Sequence, residues 1–264
     1  MGYGCLNAGA DKLYGAMKIA TLHRVHDGEE WLEKSLKSIA LADHHLAVCN
    51  IVSKAGAVYY KGFDQAVQLG MDVKICERNE LDQRIYGIQL AQTLGCTHYT
   101  AIDCDEVYDD YGIVLETAKK HPDKVVLVPC KTYFQTMSNK MGKELFCIDG
   151  WDRTLIAAVC PIECVPSYRN YDYYKGRVDP TRAAVASGGY VFAPTFVHHY
   201  SWVRKDMESL QRKMKGSTAS VNIFKSGITN YLTTAKAGDV LPIFGKKIVH
   251  EQDWRPGEKE ELCI

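Results

Sequence analysis

Three acidic residues stand within the five-residue segment Ile102-Asp103-Cys104-Asp105-Glu106. The residues just before them, His98-Tyr99-Thr100-Ala101-Ile102, read as a β-strand. The acids therefore stand at a strand's carboxyl end, where open α/β sheets bind ligands. Asp103 and Asp105 are two apart, and on extended backbone that spacing points both carboxylates the same way. Carboxylates on one side repel unless a proton or a cation sits between them. A hard divalent ion, Mg2+ or Mn2+, suits their oxygens and bridges to a diphosphate. The plain alternative is a solvated acidic turn.

Two further segments carry chemistry. Val197-His198-His199-Tyr200-Ser201-Trp202-Val203-Arg204-Lys205-Asp206 follows the apolar strand Tyr190–Ala193. Adjacent histidines on a strand face opposite ways, so one of them reaches a given metal. Trp202, Val203, Met207, Leu210 and Met214 recur at helical spacing and predict a helix from Tyr200 to Lys215. That helix would set Arg204 and Lys205 at its start, facing either phosphate or solvent. In Ile148-Asp149-Gly150-Trp151-Asp152-Arg153-Thr154, two carboxylates flank an aromatic ring. Asp149 and Asp152 are candidates for the general base that deprotonates an acceptor hydroxyl. Trp151 offers a face for stacking a sugar or a base. Asp152 serves equally to cap a helix from Thr154. Tyr168, Tyr171, Tyr173 and Tyr174 alternate with Arg169, Lys175, Arg177 and Arg182, either an acceptor-binding loop or an amphipathic surface.

The run Arg84-Ile85-Tyr86-Gly87-Ile88-Gln89-Leu90-Ala91, then Gly95, then Ala101-Ile102-Asp103-Cys104-Asp105-Glu106 resembles the core of family 2-like glycosyltransferases of the GT-A fold. Lys18-Ile19-Ala20-Thr21-Leu22 with Asp27-Gly28-Glu29-Glu30-Trp31-Leu32 resembles that family's first strand and helix, with Asp27 and Glu29 where the family has Asn-Glu. The His-Tyr-Ser-x-Val-Arg-Lys run resembles the form in small phage and bacterial members. The resemblance covers residues 17–110 and, more loosely, 185–215. It implies a nucleotide-diphosphate sugar donor, most often UDP-linked. Asp105 is then a metal ligand, Asp103 shares the metal or binds ribose, and His199, before His198, is the late metal ligand. Arg84 reaches the nucleotide or its phosphates. Arg24, Asn50, Trp151 and Arg204 complete the substrate-binding candidates. Asp152 leads as base because Asp-Arg-Thr recurs in similar sequences; a retaining enzyme needs no such base. The implied acceptors are a glycan or a hydroxymethylated base of phage DNA.

These groups need a scaffold, and the first half of the chain supplies a regular one. Lys18–Leu22, His45–Val52, Val73–Cys76 and His98–Ile102 read as strands. Helices from Glu29, at Phe63–Leu69 and at Leu81–Leu94 lie between them, with Gly70 and Gly95 at two helix ends. The alternation predicts a mostly parallel sheet flanked by helices. Val114–Lys120 reads as a helix and Val125–Pro129 as a strand, and residues 130–200 as a mixed, partly antiparallel section. The fold expected is α/β, a GT-A Rossmann-like sheet with an irregular C-terminal half. Residues 1–16 read as a loose extension before a single domain, 17–129 on the nucleotide-sugar side and 130–264 on the acceptor side.

Length and composition set the outer limits. The 264 residues hold 32 basic and 32 acidic side chains, which excludes a surface that grips polyanions by charge everywhere. No apolar stretch approaches membrane-spanning length, and the N-terminus lacks a secretory pattern, so a cytoplasmic protein is expected. The ten cysteines are scattered and read as buried thiols; Cys160 and Cys164 lack the second pair that structural zinc needs. Two other functions compete. A sugar-nucleotide nucleotidyltransferase also pairs aspartates at strand ends, but His23-Arg24-Val25-His26-Asp27-Gly28 lacks its glycine-rich loop. A catalytically degenerate nucleotide- or sugar-binding scaffold would not need intact Asp103, Asp105 and Arg84.

Overall fold

The computed structural model describes residues 16–25, 29–49, 53–54, 57–58, 61–76, 80–138, 142–148, 155–163, 189–210, 234–241 and 246–254. The first half runs β1 (Ile19–Val25), α1 (Glu29–Ser38), β2 (His44–Cys49), a small hairpin of β3 (Ser53–Lys54) and β4 (Ala57–Val58), α2 (Lys61–Gln68), β5 (Asp72–Ile75), α3 (Glu80–Thr93) and β6 (His98–Asp103). β5, β2, β1 and β6 lie side by side in that order, and every pairing among them is parallel. Parallel neighbours need crossovers, and α1, α2 and α3 lie in those connections. After α2 and α3 the chain reverses at Gly70 and Gly95, whose φ angles of 75° and 71° favour glycine. On α3 the buried stripe is Arg84, Ile88 and Ala91, an arginine heading an apolar face.

The second half is built around one long strand. It contains β7 (Glu106–Tyr108), α4 (Tyr111–Lys120), β8 (Val125–Ser138), β9 (Gly142–Ile148), β10 (Leu155–Pro161), β11 (Tyr190–Phe192), β12 (Val197–Trp202), β13 (Val240–Leu241), β14 (Lys246–Val249) and a 3-10 turn at Glu251–Asp253. β8 continues nine residues past the expected end at Pro129, to Ser138. Its first part pairs with β10 and β11, and β10 links it to β6. Its second part pairs with β12 in parallel and β9 antiparallel, and β7 pairs with β12 antiparallel. The sheet is thus parallel first and mixed afterwards, the α/β class expected.

The expected helix from Tyr200 is a correction. Residues 200–202 finish β12, residues 203–206 are irregular, and helical turn begins only at Met207. Trp202 stays in register with Phe134 on β8, so sheet pairing claims the segment first. Asp206 then accepts from the Ser209 amide at 2.7 Å, as a helix N-cap does.

The core lies on both sheet faces. Ile102, Val126, Val128 and Ile156 pack with Val114 and Ala118 of α4, while Leu22, Leu46, Tyr99 and Leu127 pack with Ile88 and Ala91 of α3. Each buried Val, Leu or Ile among them contributes roughly 1.5–3 kcal/mol by leaving water. The seven described cysteines are all buried and without disulfides. No helix among the described residues is long and apolar enough to cross a membrane.

Candidate active site

The site forms where β6 ends. Arg24 on β1 lies beside Asp103 in the parallel register, and its Nε stands 3.9 Å from Asp103 Oδ1. Arg84 reaches over from α3 and donates to the same oxygen at 2.7 Å. Asp103 remains partly open, at 24% side-chain exposure, while Arg84 is at 2%. The chain does not stay extended beyond Asp103: residues 104–105 turn. Buried Glu106 closes this turn by accepting from the Asp103 amide at 3.0 Å. The Cys104 thiol, kept protonated by burial, donates to the Arg24 carbonyl at 3.2 Å. The expectation that Asp103 and Asp105 share an extended backbone is therefore corrected, and the two carboxylates go to different partners.

Asp105 turns toward β12. Arg204 donates from Nη2 to Asp105 Oδ2 at 3.0 Å, with both side chains almost fully buried. Arg204 also donates from Nη1 to Glu30 Oε1 at 3.3 Å, and Glu30 Oε2 accepts from the Lys205 amide at 2.9 Å. Removing one partner of so buried a pair costs about 3–5 kcal/mol. The other oxygen, Asp105 Oδ1, lies 3.7 Å from His199 Nε2, too far for a hydrogen bond. His199 Nδ1 is 3.4 Å from Thr132 Oγ1, its cross-strand neighbour on β8. Between His199 and Trp202 the register slips by one residue, a β-bulge. At the bulge the Tyr200 amide donates to the Asp105 carbonyl at 2.8 Å, locking the turn to β12.

His198 faces away from His199, as strand geometry requires. Its Nδ1 is 2.7 Å from Tyr133 Oη and its Nε2 is 3.3 Å from Asp109 Oδ1. Tyr133 donates to Glu251 Oε1 at 2.7 Å, and Lys131 joins the same oxygen at 3.1 Å. Burial lowers the His198 imidazole and raises the Tyr133 phenol, while the Tyr133 hydrogen bond lowers Glu251. This network pins the Glu251 turn to β8 and β12. On the same face Tyr200 stacks on Trp31 at 4.2 Å and on Tyr133 at 4.8 Å between ring centroids. The Trp31 indole N–H donates to the Val203 carbonyl at 3.0 Å.

The residues expected at the site divide clearly. Arg24, Arg84 and Asp103 come together, as do Asp105, His199 and Arg204. Arg204 does not open a helix toward phosphate as expected; it is buried against two carboxylates. Asn50, Asp149, Trp151, Asp152 and the tyrosine-rich stretch 168–182 lie outside the described residues. Glu30 and Thr132 are site residues that sequence reasoning missed. An acid in the first turn of a helix such as α1 is favoured by the helix dipole alone, so the sequence gives no signal of Glu30's tie to Arg204, and Thr132 carries none either.

Among the described residues, no group of three or more His, Cys, Asp and Glu side chains is arranged to hold a metal. Asp105 Oδ1 and His199 Nε2 offer two ligands. That fits an ion that takes its remaining ligands from phosphate and water, as Mg2+ and Mn2+ do.

No protein-family model matches the sequence, and no curated protein matches it. Among solved structures, S. aureus TarS residues 1–349 superposes with TM-score 0.46 at 11% identity over 81% of this chain and 74% of that one. The same TarS fragment in complex with UDP gives 0.46 at 10% identity, with the same coverage. GalNAc-T7 with UDP, GalNAc and Mn2+ gives 0.45 at 10% identity, over 85% of this chain and 52% of that one. 4-Diphosphocytidyl-2C-methyl-D-erythritol synthase gives 0.41 at 8% identity, over 67% and 90%. Likenesses of this size leave the fold to rest on its strand order and the site on its own geometry.

Proposed function

We propose that this chain is a glycosyltransferase that takes a sugar from a nucleotide diphosphate, UDP-linked, and passes it to an acceptor hydroxyl. One observation carries this reading. At the carboxyl end of β6, two aspartates two residues apart serve different partners, Asp103 with Arg24 and Arg84, Asp105 with His199 and Arg204. Such a site can grip an anionic nucleotide on one side and a cation on the other. The resemblance of the Arg84–Glu106 segment to family 2-like enzymes supports the same assignment.

In transfer, the acceptor oxygen bonds to the sugar's anomeric carbon and the bond to the diphosphate oxygen breaks. Negative charge grows on the departing diphosphate. Arg24 and Arg84 supply fixed positive charge, which costs no reorganisation at the moment of reaction. Asp105 and His199 would hold a divalent ion, which when bound would supply Lewis-acid stabilisation of the leaving diphosphate. Asp103 orients the two arginines and meets the ribose. Asp152, with Asp149 second, takes the acceptor's proton in an inverting reaction, and Trp151 stacks on the sugar or acceptor.

Calorimetric titration with UDP, GDP and CDP, with and without Mn2+, tests the donor. UDP should bind, and more tightly with Mn2+. If none of the three binds under either condition, the transferase reading fails. A positive result selects the donor for an acceptor screen over glycans and hydroxymethylated DNA bases.

A further inference from the structure

We propose that Arg204 makes cation capture at Asp105 and His199 conditional on the donor's diphosphate, so that metal and nucleotide bind as a coupled pair. The inference rests on the metal assignment above and adds a role for two residues outside it, Arg204 and Glu30.

The described site offers a cation two ligands, and one of them is shared. Arg204 Nη2 holds Asp105 Oδ2 at 3.0 Å, so the guanidinium draws on the carboxylate's charge while Oδ1 points toward His199. Arg204 has little freedom to leave. Its side chain is 2% exposed, and Glu30 holds Nη1 at 3.3 Å. Glu30 is itself tied to the Lys205 amide, and Trp31 to the Val203 carbonyl, so the α1 N-terminus clamps the segment that carries Arg204. A carboxylate half-neutralised by a fixed guanidinium is a weak ligand for a free divalent ion. Diphosphate oxygens bring both the missing ligands and the missing negative charge. Arg204 is thus a positioning residue: it touches Asp105 and Glu30, and acts on the cation through Asp105.

The test reads binding, not turnover. Mn2+ is titrated alone and with saturating UDP, and free Mn2+ is followed by its electron paramagnetic resonance signal. In the unmodified protein, UDP should tighten Mn2+ at least 30-fold. Arg204→Gln releases the Asp105 carboxylate and should tighten Mn2+ alone five- to tenfold while shrinking the UDP effect. Glu30→Gln has the opposite sign: among the described residues Arg204 then keeps Asp105 as its carboxylate partner, so Mn2+ alone should weaken and the UDP effect should grow. General damage to the fold would weaken Mn2+ in both variants and would not enlarge the UDP effect, so the opposed signs identify the mechanism; if Arg204→Gln does not fold, Glu30→Gln decides it by whether its UDP effect grows. The proposal is overturned if Mn2+ alone binds within threefold of its affinity with UDP, or if coupling is present but unchanged by the folded variants. In that last case the metal assignment stands. If Mn2+ binding is instead identical in the unmodified protein and Asp105→Asn, the metal assignment and this inference fall together.

Discussion

Asp103 and Asp105 are separated by one cysteine, yet they belong to different kinds of structure. The arginine bonded to Asp103 is 19 residues away, and Arg24 is its neighbour in the β1–β6 register. Arg84 and Asp103 of this half come from one strand–helix–strand unit, β5–α3–β6, with Arg24 added by adjacent β1, and Asp103 stays 24% exposed where a ligand can reach it. Asp105 is held by an arginine 99 residues away, and that arginine by a glutamate 174 residues away. This half exists only once β12 has docked beside β7 and β8, and Asp105 is 5% exposed. The contrast separates two tasks. The locally built aspartate is suited to meeting a ligand that comes and goes. The remotely assembled one is suited to holding a charge in a fixed place.

The sharpest way to break the contrast is to remove each carboxylate. Asp105→Ala should lower kcat by about 10²–10³, the effect of losing a fixed electrostatic group beside developing charge. Asp103→Asn should act mainly on the donor's KM. Steady-state kinetics against UDP-sugar separate the two, and equal losses of kcat would erase the division of labour. Next in size is Arg84→Met, which removes the guanidinium that donates to Asp103 Oδ1 at 2.7 Å. Nucleotide affinity should fall roughly 10- to 100-fold, or about 1.4–2.7 kcal/mol, by calorimetry. Because Asp103 is partly solvated, thermal stability should fall less than for a fully buried pair.

How far the sequence predicted this site follows the same division. Hydrophobic period and glycine stops placed α2, α3 and β6 within a few residues, because helix and strand periods are local properties. Arg84 was found through its spacing to Asp103 in a recognised pattern. Four things were beyond reach. The turn at residues 104–105 depends on the Glu106 side chain folding back to the Asp103 amide, which strand alternation does not encode. The length of β8 depends on partners as distant as Trp202 on β12, so its run past Pro129 is not encoded locally. Val203 and Trp202 fit a helix and a strand equally well, and only the pairing of Trp202 with Phe134 decides between them. Glu30 had a sufficient local explanation at a helix start, which concealed its tie to Arg204.

A smaller effect is a pH dependence of stability seated at β1. His23 on β1 is fully buried against Ser35, and burial lowers its imidazole to about 3; burial also lowers His45 on β2 and His98 on β6. His23 is therefore neutral in the fold down to low pH and protonates near 6.5 once unfolded. Below pH 6.5 the unfolded chain binds more protons, so stability is fully present above that value and declines as pH falls toward 3. For His23 alone the loss should reach about 2 kcal/mol between pH 8 and pH 5. Urea midpoints at the two pH values measure it. His23→Leu should flatten the dependence whatever it does to stability at pH 8, and an unchanged slope would show that burial at β1 does not govern acid sensitivity.

The smallest effect expected concerns how closely α3 lies on the parallel strands. Gly87 stands one turn after Arg84, and a Cβ there would meet Val48 Cγ2 at 3.5 Å and the Leu22 methyls at 3.6 Å. Those are ordinary contact distances, so a methyl group fits and nothing larger does. Alanine also favours helix over glycine by up to about 1 kcal/mol. Gly87→Ala should therefore raise the thermal midpoint slightly and leave nucleotide affinity unchanged. Gly87→Leu should push α3 away from β1 and β2 and carry Arg84 off Asp103, weakening UDP while the Mn2+ response at Asp105 survives. If Gly87→Leu damages both responses equally, the two halves of the site are mechanically one unit, and the contrast between a preset and an assembled aspartate describes how they form but not how they work.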